Sequence, residues 1–150
     1  WADIDVQAKR RYDLIPNLIE VVKGYAKHES TLFENVTKAR AEAMSASSVT
    51  SRASAEENLG KAITGIFGIT EAYPNLKSDV PFLRLQNELV DTEDKIQSSR
   101  RFYNMNVREL NSDLAMFPGN IIAAIFKFSK MEFYDLPADS AAKEPVAVKF

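Results

Sequence analysis

The chain of 150 residues contains no cysteine and a single histidine, His28. The first absence removes disulfides, thiolate metal sites and cysteine nucleophiles, although it leaves the compartment open. A lone histidine with no glutamate three residues before it cannot supply the paired Glu-x-x-His ligands of a di-iron bundle. Zinc catalysis would need a carboxylate-rich site that nothing in the sequence marks. Glycine is scarce too. Gly60, Gly65 and Gly68 sit in a helical stretch with no Lys-Ser/Thr pair after them, so no phosphate-cradling loop is present. No run approaches the roughly 18–20 apolar residues that cross a bilayer. Neither sign of charge dominates, with 19 basic and 21 acidic residues and a net charge of −2. A chain without a basic field is a poor fit for a phosphate backbone, which argues against nucleic acid as a partner. The acidic pairs Glu88/Asp91 and Asp91/Asp94 lie at helical spacing and read as a solvated face. The expectation is a non-enzyme without metal or cofactor.

What is present is helical periodicity. Ile4, Ala8, Arg11, Ile15, Leu18, Val22 and Tyr25 step by fours and threes, and the series runs on through Glu29, Leu32, Val36, Ala39 and Ala43. Such a stripe belongs to helices packed at shallow angles. It predicts one long first helix from Ala2 to Ala46, kinked at Pro16 and weakened at Gly24, with a break near His28 to Ser30 as the alternative. Residues 45–54 turn to Ser, Thr and Ala and read as a loop or a frayed helix end. Ser54-Ala55-Glu56-Glu57 has the form of a capping box opening a second helix, with Leu59, Ala62, Ile63, Ile66, Phe67, Ile69 and Ala72 inward, as far as Tyr73-Pro74.

Asp79 caps a third helix, with Pro81 in its first turn. From there to Met116 no Pro or Gly interrupts, which predicts a rod on the order of 50 Å at about 1.5 Å per residue. Pro118-Gly119 stops it, Asn120 to Phe126 forms a short apolar helix, and Phe128, Met131, Phe133 and Tyr134 form an aromatic cluster. No run alternates with period two, so no strand is expected. The reading is all-α: an antiparallel up-down bundle of three long helices plus a short C-terminal helix. The bundle covers residues 1–135, with a flexible tail at 136–150.

Several separated segments resemble the LemA family domain. They are Trp1 to Gln7, Lys9 to Leu18, Val22 to Glu29, Glu71 to Lys77, Phe82-Leu83, Leu85-Gln86, Glu88-Leu89, Asp91 to Glu93, Arg100 to Asn104, Val107-Arg108 and Phe117-Pro118. The resemblance runs from Trp1 to about Tyr134, departing at Met105-Asn106, where an acidic or small residue is common. It implies a bacterial helical domain following an N-terminal transmembrane helix or lipid anchor, at the cell membrane, with no established reaction. A membrane anchor is also a natural candidate for what precedes Trp1, which opens the chain inside a helical pattern without an initiator Met. Lys9, Arg10 and Arg11 near such an anchor favour the cytoplasmic side, whereas Asp3, Asp5 and Asp13 dilute them, so the side stays open.

The candidate interaction residues are Arg10, Arg11, Asp13, Asn17, Glu88, Asp91, Arg101, Tyr103 and Asn104. Arg11 is the sharpest, because it falls on the apolar stripe and a buried guanidinium must be paired. With the first and third long helices parallel, it should meet Glu88, Asp91 or Thr92 and hold register; the functional reading is a docking or ligand site. Thr92, Ser99, Asn106 and Asp113 form a polar stripe that either specifies register or lines a groove. Arg100, Arg101, Tyr103 and Asn104 suit a partner surface or a solvated face with one inward Tyr. Two uses follow: a scaffold for other envelope or membrane proteins, with homo-oligomers among its forms, or a sensor binding a small envelope molecule between helices.

Overall fold

A computed structural model of the protein describes residues 1–134. Among these no strand occurs, and the helices are α1 (Ala2–Lys23), α2 (Ser30–Ser45), α3 (Val49–Gly68), a short α4 (Pro74–Lys77), α5 (Val80–Ala115) and α6 (Gly119–Phe126). The all-helical expectation is met. The tail assigned to residues 136–150 lies outside the described residues.

The long first helix is in fact two. The break falls at residues 24–29, the alternative near His28 to Ser30, and there the chain reverses. Arg40 of α2 donates from Nε to the Tyr12 carbonyl at 2.9 Å, which places α2 back along α1. That contact also answers Pro16. A proline has no N–H to give the carbonyl four residues earlier, which is that of Tyr12. Arg40 takes the vacated acceptor while α1 runs on through Pro16 to Lys23.

The additional reversal changes the topology. Residues 46–48 turn α2 into α3, whose first turn is closed by a reciprocal Ser48–Ser51 capping box rather than by Ser54 to Glu57. The earlier start carries Ala53 and Glu56 into the buried series with Leu59, Ile63 and Ile66. A 3-10 turn at Ile69–Ala72 ends this arm with Ala72 exposed rather than inward. Asp79 caps α5 as expected, its carboxylate accepting from the Phe82 amide at 2.9 Å. Along α1 and α5, Trp1 meets Tyr103 at one end and Tyr25 meets Asp79 at the other, so these helices are antiparallel, not parallel. Four passes therefore run up-down-up-down. The most extensive packing pairs α1 with α5 and α2 with α3, and the three-helix arrangement is replaced.

The main core gathers Ala8, Tyr12, Ile15, Leu18 and Val22 with Phe33, Val36, Leu59, Ile63, Ile66, Leu76, Phe82 and Leu89. A smaller one joins Ile4, Ala53, Tyr103, Val107 and Tyr134. Beyond Tyr103, α5 overhangs the start of α1. There α6 folds back on it, and the following segment returns along α5, Asn111 pairing with both backbone groups of Met131. The aromatic cluster at this end divides: Tyr134 and Phe133 pack inward, whereas Phe128 and Met131 are exposed.

Candidate functional site

Arg11 is 2 % exposed. It shares the buried stripe of α1 with Ala8 and Ile15, so the guanidinium enters the bundle with them and requires counter-charge. Glu56 of α3 supplies it: Nη2 donates to Oε2 at 2.5 Å and to the Glu56 carbonyl at 2.9 Å. Nη1 donates to Glu93 Oε2 of α5 at 2.5 Å. The Tyr12 hydroxyl donates to the other oxygen of Glu56. One cation thus ties three helices together by charge-assisted bonds. The paired arginine was legible, but its partners are Glu56 and Glu93 instead of Glu88, Asp91 or Thr92. The antiparallel course of α5 shifts the register, and the extended α3 adds a carboxylate.

Above this cluster α3 and α5 diverge. They close at one end, where Phe67 and Phe82 pack edge to face with centroids 6.1 Å apart. At the other end stands Tyr134. Between them lies a groove of about 490 Å³. Ile63, Phe67, Leu89, Val90 and Ile96 give it apolar walls, Arg11 and Glu56 lie at its floor, and Glu57, Lys61, Glu93 and Asp94 are charged members of its lining. Gly60 also lines it, and a β-carbon there would stand 3.8 Å from both Arg11 Nη1 and Glu93 Oε2. Two buried polar atoms of lining residues, Arg11 Nε and Tyr134 Oη, have no hydrogen-bond partner among the described residues.

The remaining predicted residues scatter. Arg10 and Asp91 pair at 2.8 Å, each partly exposed. Asp13, Asn17 and Arg101 lie exposed on their helices and Glu88 is half-buried, away from the Arg11 cluster. Tyr103 is buried, as in the reading of a face with one inward Tyr, and Asn104 is buried with it. The Tyr103 hydroxyl donates to the Glu132 carbonyl at 3.1 Å, and Asn104 brackets the backbone of Tyr134. The polar stripe does not bridge helices: Thr92 is buried but donates within its own helix to the Leu89 carbonyl, while Asn106 and Asp113 are exposed on the overhang. Asn106 lines a smaller hollow beside Trp1, well apart from Arg11. Sequence reasoning passed over Glu56; it placed Arg11 near the Glu88-to-Glu93 stretch without choosing Glu93, and read Tyr134 only as part of an aromatic cluster. For Glu56 the signal was the one that marked Arg11, a charged residue in an apolar series, and the capping-box reading hid it.

The carboxylates respond to their surroundings in opposite senses. Burial raises the Glu56 pKa, with Arg11 pulling the other way. The hydrogen bond from Arg10, aided by Lys95, holds Asp91 below the usual range. A lowered Asp91 supports the fold above the unfolded value of about 3.9 and loses that support as pH falls through its own pKa. A raised Glu56 works in reverse: its contribution is complete below about 4.3 and is lost as pH rises through the folded pKa. Carboxyl-carbon NMR titration should therefore show Glu56 protonating first on acidification and Asp91 titrating below free aspartate. A Glu56 midpoint below that of free glutamate would contradict this account.

The model of the LemA family matches residues 1–150. Curated relatives include the magnetosome protein MamQ of Magnetospirillum gryphiswaldense, 27 % identical over 91 % of this chain and 60 % of that protein. Magnetosome protein MamQ 1 of Paramagnetospirillum magneticum is 25 % identical over 89 % of the chain and 58 % of its own length. Protein LemA of Metamycoplasma hominis is 27 % identical over 89 % of the chain and 65 % of its length. The chain thus spans about 60 % of the curated relatives that it matches. Among the described residues no helix is long and apolar enough to cross a membrane. With the family model matched along its whole length, the chain belongs to the LemA family.

Proposed function

We propose that this domain is a non-enzymatic interaction module at the bacterial cell envelope, tethered to the membrane by a segment preceding Trp1, and that the groove between α3 and α5 is where a partner protein docks. The observation that carries this reading is the groove: an apolar trough floored by a fixed ionic cluster. A partner helix laid in it would seat apolar anchors against Ile63, Phe67, Leu89 and Val90, the helix-in-groove mode of recognition. Both Nη nitrogens of Arg11 and the carboxylates they bond clasp the helices that flank the trough, which suits a docking surface better than a reaction. The membrane relation rests on family membership and on the magnetosome and LemA relatives.

The unpartnered Arg11 Nε and Tyr134 Oη favour a second reading, a small polar molecule whose acceptor sits between them. One experiment separates the two. A photo-crosslinking residue at Thr64, on the groove, should capture a discrete protein in native envelopes. Capture should fail when Val90, half-exposed on the opposite wall, becomes arginine. The same probe at the exposed Asn35 of α2 serves as control. Equal capture from Asn35, or a co-purifying small molecule with no captured protein, would sink the docking reading.

A further inference from the structure

At the far end of α5 the fold leaves apolar surface uncovered on a scale unlike the rest of the molecule. In α6, Ile121 and Ile122 are each 50 % exposed, Ile125 68 % and Phe126 67 %; only Ala123 is buried. At about 100° per residue these four exposed side chains share one arc of roughly 140°, with Ala123 pointing away from it. Phe128 packs beside Phe126 and extends this surface, and Phe117 and Met131 are exposed nearby in the chain. A patch of this kind marks a contact rather than a solvated face.

Its charge indicates the occupant. From Pro118 to Met131 the chain carries two lysines, Lys127 and Lys130, and no carboxylate, although the protein as a whole is net acidic. Neither lysine forms an ion pair with a described residue. Lys127 also holds the left-handed position that ends α6, with φ 58°. Glycine is the usual residue there, because a β-carbon at positive φ is strained. A lysine at a glycine position, with no ion pair to a described residue, points to a role for its charge outside the fold. Two copies meeting through α6 would bring four unscreened ammonium groups together, which disfavours self-association. Apolar side chains flanked by lysines are the composition of a helix lying in a bilayer interface, stems along the acyl boundary and ammonium groups at the phosphates.

We propose that this tip is a membrane-surface contact, in which Ile121, Ile122, Ile125, Phe126 and Phe128 enter the interfacial layer of an anionic bilayer and Lys127 and Lys130 meet lipid phosphates. The contact is additional to the anchor and independent of the groove.

Vesicle co-sedimentation of the 150-residue chain tests it, using phosphatidylcholine with and without phosphatidylglycerol. Binding should be strong only with the anionic lipid. Ile125→Asp with Phe126→Asp should lower partitioning by about 100-fold or more, since two apolar anchors are lost. Lys127→Glu with Lys130→Glu should lower it by roughly 30-fold or more on anionic vesicles, since two attractions of about 1 kcal/mol each are lost and each glutamate adds repulsion. Both pairs are exposed, so circular dichroism should show unchanged helicity. In a Trp1→Phe background, Phe126→Trp should be quenched by brominated acyl chains. Three results would overturn the proposal: no binding by the parent chain, unaltered binding by the aspartate variant, or a tip that drives dimerisation in solution without vesicle binding.

Discussion

Arg11→Ala should destabilise the bundle by about 3–5 kcal/mol, because removing one partner of a buried pair strands the other. For a chain of this length that lowers the thermal midpoint by on the order of 10 °C. Glu56, 4 % exposed, keeps only the Tyr12 hydroxyl. Its escape is to take up a proton, so the deficit should shrink as pH falls toward the raised Glu56 pKa and widen at alkaline pH. Arg11→Met with Glu56→Leu should recover most of the loss, since well-packed apolar replacements of a buried ion pair are commonly neutral. Glu93 is a lesser partner, its side chain 43 % exposed, and its removal should cost about 1 kcal/mol or less. Urea unfolding of these variants gives the comparison. An Arg11→Ala protein as stable as the parent at neutral pH would remove the cluster from its place as the clasp of α1, α3 and α5.

The second large effect is expected at Asn104. Its side chain donates to the Tyr134 carbonyl at 3.2 Å and accepts from the Tyr134 amide at 2.8 Å. The carbonyl has another donor, Arg100 Nε at 2.9 Å, so Asn104→Ala chiefly orphans the buried amide. That should cost about 2–3 kcal/mol, felt locally as release of the segment leading to Tyr134. Hydrogen exchange should quicken by on the order of 100-fold at the Tyr134 amide and stay unchanged in α2 and α3. Trp1, the chain's one tryptophan, packs against the Tyr134 ring with centroids 5.8 Å apart, so its emission should shift as well. Asn104→Asp keeps an acceptor for the amide and should lose less. Unchanged protection at Tyr134 in the alanine variant would place the restraint elsewhere, with Arg100.

These two sites show what could be read in advance. The bounds of α5 were legible because they are written in local chemistry: Asp79 for the free amides, Pro81 where no donor is needed, Pro118 where the helix stops. Arg11 was legible as a charged residue in an apolar series. The partition of the first arm was not, because α1 and α2 face the same core after reversing, so their stripes join without an obvious jump. Even so, Tyr25 was read as inward where Ala26 is buried, a one-residue slip that marks the turn. Once one arm becomes two, every later helix changes direction relative to α1. The Arg11 partner was therefore misassigned although the need for one was seen. Asn104 was singled out as a candidate, but its role was not legible, since holding the backbone of a segment thirty residues away leaves no periodic trace.

The overhang of α5 has a mechanical consequence. The groove borders α5 around Leu89 to Arg100, and the tip begins near Met116. About twenty residues of uninterrupted helix separate Gln97 from that end, a strut of roughly 30 Å at 1.5 Å per residue. This spacing is several times the Debye length of about 8 Å at physiological ionic strength. Charge meeting Lys130, which sits beside the Asn111–Met131 contact, is still largely screened at Glu93, about eighteen helical residues away. On the two proposals together, α5 acts as a stand: the tip rests on the bilayer and the trough is presented at a set height.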